Sequence, residues 1–308
     1  MRALAAIAFA VGLLISGPAL ADKDGDAYYK EGLAYKQQGK VDDAIKALEQ
    51  AVAKNPQHAM AWASLGALYK QKDDYAKSVE AYENATKYVT KDKTLWRNLG
   101  TAYAKLDKYD QARDALMKAC KIDPKDAEIR YLLGTTRRKL NDNDGAIVDL
   151  EMATKLKPDE GEWWHSLGVA YRFAKREDDA IKAYTKAIEI APNESRYHFD
   201  LAAAYRRKDD PDKAIPEYEK ATSLDPQNAD GWFDLGFMYK RNKENEKAIH
   251  AWEMYLDLNC KLKDADARKR IGEEMASIGG KSKECGAAAS KAPTKKDKAP
   301  PKKTAPKK

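Results

Sequence analysis

Residue types that commonly build catalytic and metal sites are scarce in this chain of 308 residues, which contains three Cys, four His and five Phe. None of the histidines (His58, His165, His198 and His250) stands at a zinc-ligand spacing from Cys, Asp or Glu, and H-E-x-x-H is absent. The motifs G-x-S-x-G, Walker A and G-x-G-x-x-G are also missing. We therefore expect no metal, no cofactor and no enzymatic activity.

Long apolar runs are missing as well. The longest apolar segment, residues 3–16, is shorter than the roughly 20 residues that a membrane-spanning helix needs. It follows the basic Arg2 and precedes the small-residue sequence Ala19-Leu20-Ala21, an order that is typical of a cleaved secretory signal peptide. We therefore predict a signal peptide at residues 1–21 and an exported mature protein without an integral membrane span, located in the periplasm or secreted.

Apolar bulk is almost absent from residues 279–308, where Lys, Pro and Ala predominate. Ten Lys and two acidic residues, Glu284 and Asp297, give this segment a net charge of +8. Subtracting it and the +1 of Arg2 from the +7 of the whole chain leaves −2 for the remaining residues. The composition favours a disordered tail. Such a tail is either a solvated terminus or a ligand for an anionic cell-envelope polymer or lipid surface. Nucleic acid is less favoured, because the tail lacks aromatic residues that stack on bases.

The rest of the chain consists of a repeated unit of 34 residues. Counted from Gly161, the unit has Trp at position 4, Leu-Gly at 7 and 8, Tyr at 11, Ala at 20 and 27, and Pro at 32. The fourth and sixth copies depart from this pattern with Arg130, Arg137 and His198. The copies cover residues 25–58, 59–92, 93–126, 127–160, 161–194, 195–228 and 229–262.

Each unit is predicted to form two helices. Positions 4, 7, 8 and 11 recur at i, i+3, i+4 and i+7, so they share one face of a first helix, and positions 20, 24 and 27 share one face of a second. Small residues at positions 8 and 20 let the two helices approach closely. A charged segment at 264–278 is predicted to form a terminal capping helix. Residues that tolerate left-handed backbone occupy the turn between the helices: Gly39, Asp73, Asp107, Asn141 and Asp209.

This pattern, W-x2-L-G-x2-Y followed by A-x3-F and P, resembles the tetratricopeptide repeat family. The resemblance covers about 240 of the 308 residues. It implies an all-α fold, a right-handed α-solenoid (superhelix) of seven helix pairs with a C-terminal capping helix, over residues 22–278. It also implies a groove, lined by the first helices, that holds a segment of a partner protein.

In the family, positions 2, 5, 9, 12 and 13 of each unit line this groove. Here positions 12 and 13 are rich in basic residues, which would attract an acidic partner, and aromatic residues accompany them as anchors. The alternatives are solvated cations at helix ends and rings packed between neighbouring helices. The predicted groove residues are Lys36, Lys70, Lys105, Tyr131, Arg138, His165, Arg172, Phe173, Phe199, Arg206, Arg207, Phe233, Phe237, Lys240 and Arg241.

The three cysteines fall into two groups. Cys120 occupies a position held by apolar residues in other units, so we expect a buried thiol. Cys260 and Cys285 flank the predicted capping helix, and in an oxidising compartment they would either form a disulfide or stay reduced. Spacing alone does not decide between the two.

Two functions are consistent with these features. The first is an exported, non-enzymatic scaffold whose basic and aromatic groove binds acidic, partly apolar segments of partner proteins. The second is an envelope tether, in which the Lys-rich tail binds an anionic surface and the repeats act as a spacer. An accessory role in a secretion, pilus or outer-membrane assembly machine is a weaker hypothesis that rests on family members alone.

Overall fold

The computed structural model describes residues 24–259 and 265–281, which form α-helices joined by short turns and contain no strand. The all-α prediction is therefore confirmed. Cys120 is buried within α6 (Tyr109–Ile122). The predicted signal peptide, Cys260, Cys285 and residues 282–308 of the predicted tail lie outside the described residues.

Each repeat contributes a first helix of 13 residues and a second of 14. The first helices begin every 34 residues, at 25, 59, 93, 127, 161, 195 and 229. The helices of the described chain are α1 (Gly25–Gln37), α2 (Val41–Lys54), α3 (Ala59–Gln71), α4 (Tyr75–Tyr88), α5 (Lys93–Lys105), α6 (Tyr109–Ile122), α7 (Ala127–Lys139), α8 (Asn143–Leu156), α9 (Gly161–Phe173), α10 (Glu177–Ile190), α11 (Ser195–Arg207), α12 (Pro211–Leu224), α13 (Ala229–Arg241), α14 (Asn245–Leu258) and α15 (Ala265–Ala276).

The helices form two compact units, divided between Asp123 and Pro124. The first unit contains α1–α6 and the second contains α7–α15. Within each unit, every helix packs against the helices that precede and follow it in the sequence. Helix pairs stacked in sequence order make an α-solenoid, as predicted.

The two helices of a repeat approach each other closely because position 8 is small. A Cβ atom on Gly168 would lie 2.5 Å from the ring of Tyr184, and one on Gly66 would lie 2.9 Å from the ring of Tyr82. Real Cβ atoms do not come this close to another atom, so a larger residue would push the second helix away. The alanine at position 20 of the fifth repeat, Ala180, is fully buried.

The residue at position 4 ties its repeat to the preceding one through a hydrogen bond. In four repeats it is a Trp whose indole Nε1 donates to the carbonyl oxygen six residues earlier, at 2.8–3.0 Å. In the fourth repeat Arg130 Nε donates to Pro124 at 3.0 Å, and in the sixth His198 Nε2 lies 3.0 Å from the Pro192 oxygen. Arg130 and His198 therefore retain the contact with this carbonyl oxygen that tryptophan makes in the other repeats.

Position 23 of the repeat, which lies in the second helix, changes together with position 4. Ala183 lies at this position behind Trp164, where a small residue leaves room for the indole. Where position 4 is Arg130, position 23 is Asp149, and their charged atoms are 2.6 Å apart. Arg137 Nη1 reaches the second oxygen of the same carboxylate at 2.8 Å. The corresponding pair in the sixth repeat, His198 and Glu217, is also 2.6 Å apart, so contacts between polar side chains replace the aromatic packing in these repeats.

The turn between the helices uses left-handed backbone at position 15 of each repeat, with φ between 56° and 74°. The residues that were expected there on chemical grounds, such as Gly39 and Asn141, occupy it. Lys175 and Lys243 also adopt positive φ, of 61° and 63°, although their side chains do not favour it. In these repeats the same turn therefore forms without a residue type that favours it.

The Asp149 cluster generates the first prediction. The carboxylate is 1% exposed, so the variant Asp149→Ala removes the buried carboxylate that two half-buried arginines share and should lower the free energy of unfolding by about 3 kcal/mol. The triple variant Arg130→Trp, Arg137→Tyr, Asp149→Ala, which copies the other repeats, should recover most of that loss. Urea-induced unfolding followed by circular dichroism measures both effects.

The matched control is Asp144→Ala, because Asp144 is an exposed carboxylate in the first turn of the same helix. Its loss should cost about 0.5 kcal/mol through the helix dipole. Equal losses for the Asp149 and Asp144 variants would contradict the ion-pair interpretation.

Candidate functional site

Corresponding positions of successive first helices share one surface of the second unit. Ion pairs and hydrogen bonds connect these helices directly, as between His165 of α9 and Asp200 of α11. We call this surface the first-helix face. It comprises Tyr131, Arg138, His165, Arg172, Phe173, Phe199, Asp200, Arg206, Arg207, Phe233, Asp234, Phe237, Lys240 and Arg241.

Most aromatic residues of the first-helix face pack against other side chains. Tyr131 stacks on Trp163 with ring centres 5.0 Å apart, and His165 is buried and stacks on Tyr197 at 4.8 Å. Phe199 meets the ring of a core tyrosine edge-on at 5.7 Å. These rings fill the space between neighbouring helices and are at most partly accessible to a partner.

The aromatic pair of the last repeat is partly covered by the capping helix. Phe233 and Phe237 pack at 4.9 Å, and the guanidinium of Arg270 from α15 lies 5.8 and 5.5 Å from their ring centres. Phe173, in contrast, is 51% exposed. It is the most accessible aromatic anchor among the predicted groove residues of this unit.

Four of the six predicted basic residues of this unit lie against carboxylates of neighbouring helices. Arg207 Nε contacts Glu177 at 2.7 Å, and Lys240 Nζ contacts Glu274 of α15 at 2.6 Å. Arg206 lies 3.5 Å from Asp234, and Arg241 pairs with Asp209. These ion pairs offset part of the positive charge that the predicted groove residues carry.

Arg138 and Arg172 are the two remaining basic residues, and neither has a carboxylate partner among the described residues. The guanidinium of Arg172 lies 4.7 Å from the centre of the Phe173 ring, in a cation–π contact. Its Nε atom is buried and has no hydrogen-bond acceptor in the described part of the chain. Arg172 and Phe173 therefore form a cationic and aromatic pair in which the ring is exposed and the guanidinium is half-buried.

The hydroxyl of Tyr184 lies buried among the charges of four residues, Asp200, Arg172, Arg207 and Glu177. Burial first, and then Asp200, raise the pKa of Tyr184 far above its usual value, so the phenol stays neutral and keeps its proton. Among the described residues it has no acceptor for that proton.

The nearby carboxylate of Asp200 contacts a histidine, because His165 Nε2 lies 2.7 Å from it. One repeat later Phe199 occupies the position of His165, and Tyr218 donates to Asp234 at 3.0 Å. Burial raises the pKa of Asp234, while Arg206 and the Tyr218 hydroxyl favour its charged form.

The first unit contains three predicted groove residues, at the ends of its first helices. Lys36 and Lys105 are exposed and Lys70 is half-buried. None of them has an ion-pair partner among the residues that the structure describes, whereas Lys72, two positions after Lys70, contacts Asp42 at 2.5 Å.

Within residues 24–259 and 265–281, no group of three or more His, Cys, Asp or Glu is arranged to hold a metal ion. None of the described helices combines the length and the apolar character that crossing a membrane requires.

Three family profiles match the sequence. The profile of the cytochrome c-type biogenesis protein H TPR domain matches residues 132–268. Two profiles of the tetratricopeptide repeat match residues 29–83 and 94–126. These matches fall on the repeats that the sequence pattern predicts.

Solved structures with the same fold include a crystal structure of MamA protein, 26% identical, with a TM-score of 0.53 over 56% of this chain and 94% of that one. YrrB, described as a TPR protein with an unusual peptide-binding site, is 20% identical, with a TM-score of 0.55 over 65% of this chain and 99% of that one.

The C-terminal part of a TPR repeat-containing protein from Cytophaga hutchinsonii is 18% identical, with a TM-score of 0.65 over 78% of this chain and 98% of that one. No curated protein matches the chain significantly.

The two tyrosines at position 24 generate the second prediction. Tyr218→Phe removes a hydrogen bond to a buried carboxylate and should lower the free energy of unfolding by about 1 kcal/mol. Tyr184→Phe removes a hydroxyl without a partner, so it should leave stability unchanged or raise it by up to about 1 kcal/mol. Urea-induced unfolding of the two variants tests this difference, and equal destabilisation would refute it.

Proposed function

The chain is a tetratricopeptide repeat protein, and from that premise we propose that it is a non-enzymatic scaffold whose first-helix face binds an acidic, partly apolar segment of a partner protein. The observation that carries the proposal is the pair of Arg172 and Phe173, which joins an unpaired guanidinium to an exposed ring. Arginine and aromatic residues are the side chains most enriched at the energetic centres of protein interfaces.

The ligand of Arg172 is a carboxylate. A guanidinium presents parallel N–H donors that match the two oxygens of an Asp or Glu side chain, and the resulting bidentate pair is stronger than a neutral hydrogen bond. The adjacent Phe173 ring offers apolar area to the neighbouring side chain of the partner. This combination favours a segment that alternates acidic and apolar residues.

Arg138 occupies position 12 of the repeat before Arg172 and is also without a carboxylate partner in the described chain. Packed helices lie about 8–10 Å apart, and an extended chain covers that distance in about three residues. We therefore expect acidic residues about three positions apart in the bound segment, one on Arg138 and one on Arg172. The cations already paired with carboxylates of this chain would contribute less.

A charge-reversal experiment tests this proposal. The variant Arg138→Glu, Arg172→Glu should reduce recovery of co-purifying proteins from native extract by at least about tenfold, because it places like charges opposite the partner's carboxylates. The single variant Phe173→Ala should reduce recovery without a change in charge. Quantitative mass spectrometry of proteins captured on immobilised chain measures both.

The matched control is Lys220→Glu, Lys269→Glu, which makes the same change in net charge at exposed residues outside the first-helix face. Its recovery should equal that of the unchanged chain. Undiminished recovery with the Arg138, Arg172 variant would show that these arginines are only solvated helix-end charges.

The Lys-rich tail supports the alternative function, in which the chain is tethered to an anionic cell-envelope surface. Its support is the charge of +8 that residues 279–308 carry. Deletion of residues 282–308 should then release the protein from the envelope fraction at ordinary salt, because electrostatic attraction of this kind is screened by ions. Unchanged fractionation after the deletion would exclude the tether.

Export is proposed from the order of basic, apolar and small residues in 1–21. The mature chain should begin at Asp22, in the periplasmic or secreted fraction. Mass spectrometry of the N-terminal peptide measures this, and an intact N-terminus in the cytoplasmic fraction would refute it.

A further inference from the structure

A second surface of the α7–α15 unit contains an apolar cleft of about 760 Å³. Its walls come from the second helices α8 and α10, and Trp164, Leu167 and Tyr171 of α9 contribute to its lining. These α9 residues occupy positions 4, 7 and 11, whereas the first-helix face uses positions 12 and 13 of the same helix. The cleft is therefore separate from the site proposed above.

Clefts in the same register occur in the first unit but are smaller. The one at Trp96 measures about 340 Å³, and the one at Trp62 about 260 Å³. At Trp96, the Nζ atom of Lys118 lies 4.2 Å from the ring centre and covers the indole. The equivalent Lys186 in the fifth repeat turns away to Glu189, at 2.6 Å, which leaves Trp164 open.

The helix that forms one wall of this cleft is also apolar on its adjacent outer face. Val148, Met152 and Leu156 follow each other at intervals of four residues along α8 and are 60%, 36% and 36% exposed. Contiguous exposed apolar side chains of this kind mark interaction surfaces in soluble proteins.

The residues that line the cleft have a net charge of +1, because three lysines (Lys155, Lys182 and Lys186) accompany two carboxylates. Of its two carboxylates, Glu151 accepts a hydrogen bond from Tyr171, and Asp179 accepts from Arg176 at 2.7 Å. Lys155 has no acidic partner among the described residues, and Lys182 lies 3.4 Å from the already occupied Asp179. A ligand for this rim carries acidic groups.

We propose that this cleft binds an amphipathic α-helix of a partner protein, with its apolar stripe on Trp164 and Ile181 and its acidic flank beside Lys155 and Lys182. The cleft is apolar and its walls are two helices, so it offers side chains for packing to a ligand. A helix satisfies its own backbone and packs its side chains between two others.

The tail of this chain is a poor occupant, because its charge has the same sign as the rim. The proposal goes beyond the function proposed above, since it gives the scaffold a second binding surface.

The chain itself supplies a variant that removes the indole and preserves the repeat. His198 and Glu217 occupy positions 4 and 23 of the sixth repeat, so Trp164→His with Ala183→Glu copies a pair that this fold already accommodates. The matched control makes the same exchange in the third repeat, Trp96→His with Ala115→Glu. Circular dichroism verifies that both variants retain their helix content.

The probe is a display library of peptides about 16 residues long, enough for four helical turns, selected on the full chain. Peptides with apolar residues at i, i+3 or i+4 and i+7 and with acidic flanks should be enriched, relative to selection on the Trp164→His, Ala183→Glu variant. An enriched peptide should shift the indole N–H resonance of Trp164. Its affinity should fall at least about tenfold in that variant and in Lys155→Glu, Lys182→Glu.

The affinity should be unchanged in the third-repeat control and in Arg138→Glu, Arg172→Glu, which separates this cleft from the first-helix face. Three outcomes would overturn the proposal. One is that no peptide is enriched relative to selection on the Trp164→His, Ala183→Glu variant. Another is that the affinity of an enriched peptide is unchanged in Lys155→Glu, Lys182→Glu. The third is enrichment of a segment of this chain, with self-association that the cleft variant abolishes, since a second copy would then be the occupant.

Discussion

The close approach of the two helices within a repeat is the constraint on which the rest of the structure depends. A small residue at position 8 lets the side chain at position 24 pack directly against the first helix, as Tyr184 does against Gly168. No repeat could bury its apolar surface alone, so this contact also fixes where the next repeat stacks. It places the Tyr184 hydroxyl beside Arg172 and Asp200. The polar centre of the candidate site is thus a consequence of core packing.

The period, the helix pairs and the turns could be predicted from the sequence because each depends on residues close together in one repeat. The polar pairs that replace tryptophan could not be predicted by judging each position separately. Considered alone, Arg130 and His198 suggest that these repeats have lost the packing of the position-4 tryptophan. Asp149 and Glu217, nineteen residues later in each case, supply the polar partners that replace it. The available signal was a carboxylate at a position that the five other repeats fill with alanine: Ala47, Ala81, Ala115, Ala183 and Ala251.

The candidate site was less predictable for a related reason. Positions 12 and 13 identify all the basic residues of the predicted groove. The carboxylates that pair with them lie at other positions of neighbouring repeats, as Glu177 does for Arg207. Their distances depend on how the helices stack, which the pattern of a single position does not contain. Arg172 differs because the nearby Asp200 contacts His165 and forms no ion pair with Arg172, and because Phe173 is exposed beside it. This distinction between Arg172 and the other basic residues depends on the spatial arrangement of His165, Arg172 and Phe173, which the sequence pattern does not give.

The fifth repeat is consequently the part of the second unit where two distinct surfaces meet on one helix. Trp164 and Tyr171 line the cleft, while Arg172 and Phe173 belong to the first-helix face. Because α9 separates the two surfaces, a single short peptide would contact only one of them. A partner that presents both an acidic extended segment and an amphipathic helix would gain affinity from the high effective concentration of the second segment once the first is bound. Its linker must be long enough to pass around the helix pair, so linker length would distinguish partners that use both surfaces from partners that use one.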